Sequence, residues 1–214
     1  MKKLILFACG VACAGSVLAQ GTIVFNNRVV GSVVAPIYAV DPANPTTPTT
    51  GNTATGFPAG TTTYGGPLLS GSGFTVQLWA APGANQTEAS LQPATGYSMS
   101  SFRTGAAAGL WTSSVNPAII PGAAEATVAS LEVRVWDNVG GTITSWAQVL
   151  ADNSIARGES PIFNSQPLGG VSPPPNLVGL VSFDLFTPTI VPEPSTFALA
   201  GLGAAALLVF RRRK

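Results

Sequence analysis

Between residues 20 and 190 the chain contains neither histidine nor cysteine, which leaves little chemistry open to it. No Ser-His pair and no thiolate nucleophile can be assembled there, and the preferred ligands of a zinc site are missing. Carboxylates remain. A pair of them can run glycoside hydrolysis, and Glu132 is the one glutamate in the middle of a strand-like run. Its phase in Leu131-Glu132-Val133-Arg134-Val135-Trp136 turns it away from the aliphatic residues and beside Arg134, which reads as a surface ion pair. Asp137 and Asp152 each precede an asparagine, Asn138 and Asn153, in loop-like contexts. Such residues cap turns by hydrogen-bonding the backbone with their side chains, and a calcium loop would need a denser Asp repeat than either site has. Trp79 and Trp136 are out of phase with the aliphatics of their strands, so both could present a ring to a sugar. This inventory gives no catalytic residue, no metal and no cofactor, and the chain is not expected to be an enzyme.

The elements that would carry these residues read as all-β. Phe74-Thr75-Val76-Gln77-Leu78-Trp79, Leu131 to Trp136 and Val181-Ser182-Phe183-Asp184-Leu185-Phe186 alternate with period two. Further strands are expected at 22–30, 33–40 and 142–150, and helix is limited to a turn or two near Thr87 to Leu91. Asp137 to Gly141 looks like a hairpin loop whose glycines can take positive φ. Short strands with Gly/Pro punctuation predict an antiparallel β-sandwich, with Val76, Leu78, Leu131, Val133, Val135, Phe183 and Leu185 in its core. Residues 41–67 hold nine threonines and five prolines and should form a long exposed loop outside that core. The tract is a compositional candidate for O-glycosylation, and its threonines lack the strict repeat of an ice-ordering array.

Six of the ten basic residues lie at the two ends of the chain. Between 20 and 190 only Arg28, Arg103, Arg134 and Arg157 face eight acids, a net charge of −4 that disfavours nucleic-acid binding. At the start, Lys2-Lys3, the apolar run Leu4 to Leu18 and Val17-Leu18-Ala19 before Gln20 make a signal peptide at 1–19, cleaved between Ala19 and Gln20. Cys9 and Cys13 both fall inside it, so the mature chain has no disulfide to form. At the other end, Val191-Pro192-Glu193-Pro194-Ser195 leads into the uncharged stretch Phe197 to Phe210 and stops at Arg211-Arg212-Arg213-Lys214. As a helix those fourteen residues would span about 21 Å, a short transmembrane segment with its basic cluster cytoplasmic. The expected domains are therefore 1–19, an ectodomain at 20–190, and an anchoring segment at 191–214.

The Pro-Glu-Pro signature, short apolar stretch and basic terminus together resemble the PEP-CTERM sorting signal of Gram-negative bacteria. The resemblance implies that Val191 to Ser195 is read by a membrane-embedded exosortase and that Arg211 to Lys214 is the cytoplasmic stop. It implies export by the Sec machinery and signal peptidase, anchorage in the inner membrane before processing, and delivery to the cell surface or extracellular matrix. The order of Gln20 to Arg28, Phe74 to Gly83, Phe102 to Gly105, Val133 to Asp137 and Leu177 to Phe183 is similar to that of exported PEP-CTERM proteins of verrucomicrobial-type bacteria. The expected role is structural, in envelope or exopolysaccharide (biofilm). A carbohydrate-binding module is the alternative, with polysaccharide as partner, and an ice-binding protein is a minor one.

Overall fold

The computed structural model describes residues 19–188. The expected leader and the 191–214 segment lie outside them, apart from Ala19. Among the described residues no helix is long and apolar enough to cross a membrane.

The described residues run through eleven short strands, all paired antiparallel. They are β1 (Gln20–Ile23), β2 (Arg28–Val29), β3 (Val33–Val34), β4 (Phe74–Pro82), β5 (Gln92–Pro93), β6 (Thr95–Gly96), β7 (Met99–Ser101), β8 (Ala118–Ala124), β9 (Ala129–Asp137), β10 (Arg157–Glu159) and β11 (Phe163–Asn164). The two long alternating runs, β4 and β9, pair along their full length, from Phe74 opposite Asp137 to Pro82 opposite Ala129. Outside this pair, β5 and β7 flank β4, while β10 and β11 flank β9. A second sheet has the order β1-β8-β6, and β2 with β3 forms a small hairpin turned at Gly31, whose φ of 78° suits glycine.

The period-two pattern sets what is buried. Val76, Leu78, Leu131, Val133 and Val135 point to one side of the large sheet and join Ile23 of β1 and Ala118 and Ile120 of β8 in one cluster. Phe183 and Leu185 belong to it as well, so every core residue expected from the sequence is buried. The all-β class is likewise what the structure shows. The runs 22–30 and 33–40 are extended, alternating Ile23, Phe25 and Asn27, then Val33, Ala35 and Ile37, into the interior. Only their ends enter ladders. The 181–186 run makes single bridges to three partners, Phe183 to Thr50, Asp184 to Tyr38 and Phe186 to Arg157, and forms no strand of its own.

Three expectations are corrected. Residues 142–150 do not form a strand. They enter a turn and then helix α1 (Trp146–Ala151), started by a capping box in which Ser145 Oγ accepts from the Gln148 N–H and Gln148 Oε1 accepts from the Ser145 N–H. Asp137 to Gly141 is consequently no hairpin loop, although Gly140 and Gly141 do take positive φ, and the next strand on this edge of β9 is β10. The 41–67 segment is also more than an external loop. Most of its threonines are exposed, but Asn52 is buried, Tyr64 stacks on Tyr38 at 4.0 Å, and Phe57 pairs with Val34.

Candidate functional site

Alternation along β9 places Glu132, Arg134 and Trp136 on the face opposite the aliphatic core. That phase is as read from the sequence, but the face is not a surface. Trp136 is 0% exposed, and Glu132 and Arg134 are each 4% exposed. The cover is α1. With only six residues, it buries Trp146 and Val149, three apart on one side, to form a second apolar cluster with Trp136 and Ile155. Trp136 Nε1 donates to the carbonyl of Ile143, and Arg157 Nη1 donates to the carbonyl of Val149 near the end of α1. Trp136 therefore cannot offer a ring to a sugar, because a helix that sequence periodicity did not suggest covers it. Glu132 and Arg134 form a buried pair, not a surface one.

Arg134 is the hub of this layer. Its guanidinium carbon lies 4.0 Å from the Trp79 ring centroid and 5.1 Å from that of Trp146. Arg134 Nε donates to Glu132 Oε2 at 2.7 Å, and Nη2 lies 3.3 Å from Glu88 Oε1. Glu159 Oε2 lies 3.6 Å from Nε. One cation thus faces three carboxylates from three elements. Burial, opposed by Arg134, pushes the Glu132 carboxyl up to about 7 and raises Glu159 in the same direction.

Above this hub a cleft of about 450 Å³ opens between α1 and the Glu88–Ser90 turn. Trp79, Leu91, Trp146 and Leu150 supply apolar walls, Arg134 lies at the base, and Glu88 stands at the rim with its side chain 64% exposed. Trp79 is half-buried, and its Nε1 donates to Gln77 Oε1. Of the two tryptophans singled out in the sequence, only Trp79 borders an open cleft. Trp146 was not singled out. Its signal was the capping box Ser145-Trp146-Ala147-Gln148, hidden by reading 142–150 as a strand. Such a cleft can pack the apolar face of a small neutral ring and accept hydroxyl hydrogen bonds at Glu88.

The Asp-Asn pairs sit in turns. Asp137 Oδ1 accepts from the Val139 N–H at 2.8 Å, and Asn138 holds the carbonyl of Ser72 and the N–H of Gly141. Asp152 Oδ1 accepts from the N–H and hydroxyl of Ser154, which hold its carboxyl below the usual range. Among the described residues no three His, Cys, Asp or Glu side chains are grouped to hold a metal ion. A second hollow of about 380 Å³ lies on the Thr-rich segment, between Tyr38, Tyr64 and threonines 53, 55, 61, 62 and 63.

Both ends of the domain are tied down. Ala19, at the expected cleavage point, accepts a hydrogen bond from the Glu125 N–H, and the exposed Gln20 opens β1 opposite Ala124. The exit is laid against the Thr-rich segment. Ser182 donates to Asn52, Asp184 exchanges bonds with Thr49, and Thr187 donates to the carbonyl of Pro45. Beyond Pro188 the chain continues into Val191 to Ser195 and Arg211 to Lys214.

On those last residues a family model, described as the PEP-CTERM protein-sorting motif, matches positions 191–214. The chain carries a PEP-CTERM sorting motif. The motif supports export and implies processing at the membrane by an exosortase-type enzyme. No curated protein and no solved structure significantly matches the chain.

Proposed function

We propose that this PEP-CTERM protein is a cell-surface or extracellular-matrix component whose β-sandwich ectodomain has a non-catalytic, structural role in envelope or exopolysaccharide, released to its final address when an exosortase cuts the tail. The observation that carries the reading is the sorting motif at 191–214, since a polypeptide routed this way acts outside the inner membrane. Support for a non-catalytic role comes from the β9 layer. The Glu132 carboxyl, raised by burial, is 4% exposed and bonded by Arg134. A general acid needs to reach its substrate. Mass spectrometry of the mature C-terminus in cells with an active exosortase tests the reading. A shortened C-terminus is expected in the surface form, and replacing Pro192-Glu193-Pro194 by three alanines should leave export intact but trap a longer, membrane-bound form. A surface protein still ending at Lys214 would overturn it.

Carbohydrate binding is the second reading, favoured by the open cleft beside Trp79. Its test is retardation of the folded ectodomain in gels containing a soluble neutral glycan. Trp79→Ala should abolish the retardation, and a ligand held elsewhere would be indifferent to it.

A further inference from the structure

We infer that the threonine- and proline-rich base formed by residues 42–63 docks on the outer face of the membrane-embedded processing enzyme while that enzyme takes the sorting motif. This rests on the exosortase reading above and adds a second point of recognition to it.

The inference begins where the domain releases its tail. Five hydrogen bonds lay residues 182–187 along the Thr-rich segment: Gly51 N–H to Ser182 O at 2.8 Å, Ser182 N–H to Asn52 Oδ1 at 2.9 Å, Asp184 N–H to Thr49 O at 3.1 Å, Thr49 N–H to Asp184 Oδ1 at 2.7 Å, and Thr187 N–H to Pro45 O at 2.7 Å. The described chain thus ends, at Thr187 and Pro188, beside Pro45. Pro192 is four residues further on. Four residues reach about 14 Å at full extension. Any enzyme that holds Pro192 consequently lies within about 14 Å of Pro188, on the Pro45 side of the 42–63 base.

The chemistry of the base selects the partner. Residues 42–67 carry no charged side chain, in a domain whose net charge is −4. Six of the eight acids lie elsewhere, Glu88, Glu132 and Glu159 around Arg134, and Glu125, Asp137 and Asp152 in turns; of the other two, Asp41 borders the base and bonds Ala43 and Asn44, and Asp184 is buried against Thr49. What the base exposes is hydroxyls and proline rings, at Pro45, Thr46, Thr47 and Pro48, with the Phe57 ring 44% exposed. An anionic lipid surface is met by lysine and arginine clusters, and the base has none. A protein rim that packs on small apolar groups and bonds hydroxyls is the matching surface.

The test uses the full chain in cells with an active exosortase, following processing by pulse-chase with the C-terminus defined by mass spectrometry. A Gly/Ser insertion between Pro188 and Thr189, lengthening the path to about fourteen residues, lowers the effective concentration of the base at the enzyme about sixfold and should slow processing by up to that factor. Thr46→Glu with Thr47→Glu should slow it comparably without changing the thermal unfolding of the ectodomain. The same charge added at the exposed Val115→Glu and Val171→Glu should leave the rate unchanged. Combined with the insertion, the Thr46/Thr47 pair should cause little further slowing. Processing that is unaffected or faster after the insertion, or equally fast in the two glutamate pairs, would overturn the docking. So would recovery of the purified ectodomain on phosphatidylethanolamine/phosphatidylglycerol vesicles through this base, in favour of the lipid surface. A wild-type chain that keeps Lys214 would instead remove the exosortase reading itself.

Discussion

The two faces of β9 are buried equally and by different means. Leu131, Val133 and Val135 face a core assembled from both sheets, where nothing but shape and apolar area is required. Glu132, Arg134 and Trp136, one residue out of phase, are covered by α1 at Trp136 and by Trp79, Trp146 and Glu88 around Arg134, and must settle two charges and an indole N–H in the space they share. Burial alone therefore does not tell what a face is for. The apolar face stabilises by leaving water. The polar face is stable only while each of its groups keeps its partner, and it is the one that opens into a cleft.

The largest effect that would break this comparison is on the apolar side. Val133→Asp places an unpaired carboxylate where no partner exists, a cost of several kcal/mol and a large share of the roughly 5–15 kcal/mol available to a domain. No cooperative unfolding transition should remain in circular dichroism. On the polar side, Arg134→Ala leaves Glu132 buried without its cation and should cost about 3–5 kcal/mol in urea unfolding. The double change Glu132→Leu with Arg134→Leu sharpens the contrast, because removing both charges should restore much of that loss. A double variant as unstable as Arg134→Ala would show that the layer needs its ion pair and not just its packing.

A smaller effect concerns pH. Glu132 is raised from 4.5 to about 7 by burial, so between those values the folded state binds more protons than the unfolded chain. Its contribution to stability is greatest below pH 4.5 and is lost as pH rises through about 7. Glu159 and Asp184, raised by burial as well, act in the same sense. The unfolding free energy from urea titrations should fall between pH 4.5 and 7, by no more than about 3 kcal/mol for Glu132, and Glu132→Gln should flatten the slope. A free energy that rises instead would mean that Arg134 outweighs burial. The smallest effect is at Ser182, whose buried hydroxyl has no hydrogen-bond partner among the described residues. Ser182→Ala should be neutral or stabilising by about 1 kcal/mol, read from the shift in thermal midpoint.

Much of the apolar face was legible in the sequence and the polar face only in part. Period two in 74–79 and 131–136 gives strand phase directly, so the core residues and the opposite placement of Glu132, Arg134 and Trp136 follow from it. What covers the second face does not follow, since α1 holds its place with two buried residues, too few for a periodic signal. β8 escaped for a related reason. Pro121 and Gly122 interrupt Ala118–Ala124, and such residues ordinarily mark a turn. The 41–67 tract was read from composition, which reports its exposed threonines but not Asn52, whose side chain binds Pro58 and Ser182 across the fold.

By itself the sequence determined the absence of histidine and cysteine between residues 20 and 190, the all-β class, the inward residues of the long strands, and the sorting motif. These are properties of residue inventory and short-range spacing, which need no fold to be read. Only the tertiary structure decided that Arg134 lies between two tryptophans among three glutamates, that Trp136 is hidden while Trp79 borders a cleft, and that residues 182–187 run along the Thr-rich segment. Glu88 and Arg134 are 46 positions apart, and Pro45 and Thr187 are 142 apart. Contacts at such separations exist only after both sheets and their connections have packed, so no local pattern encodes them.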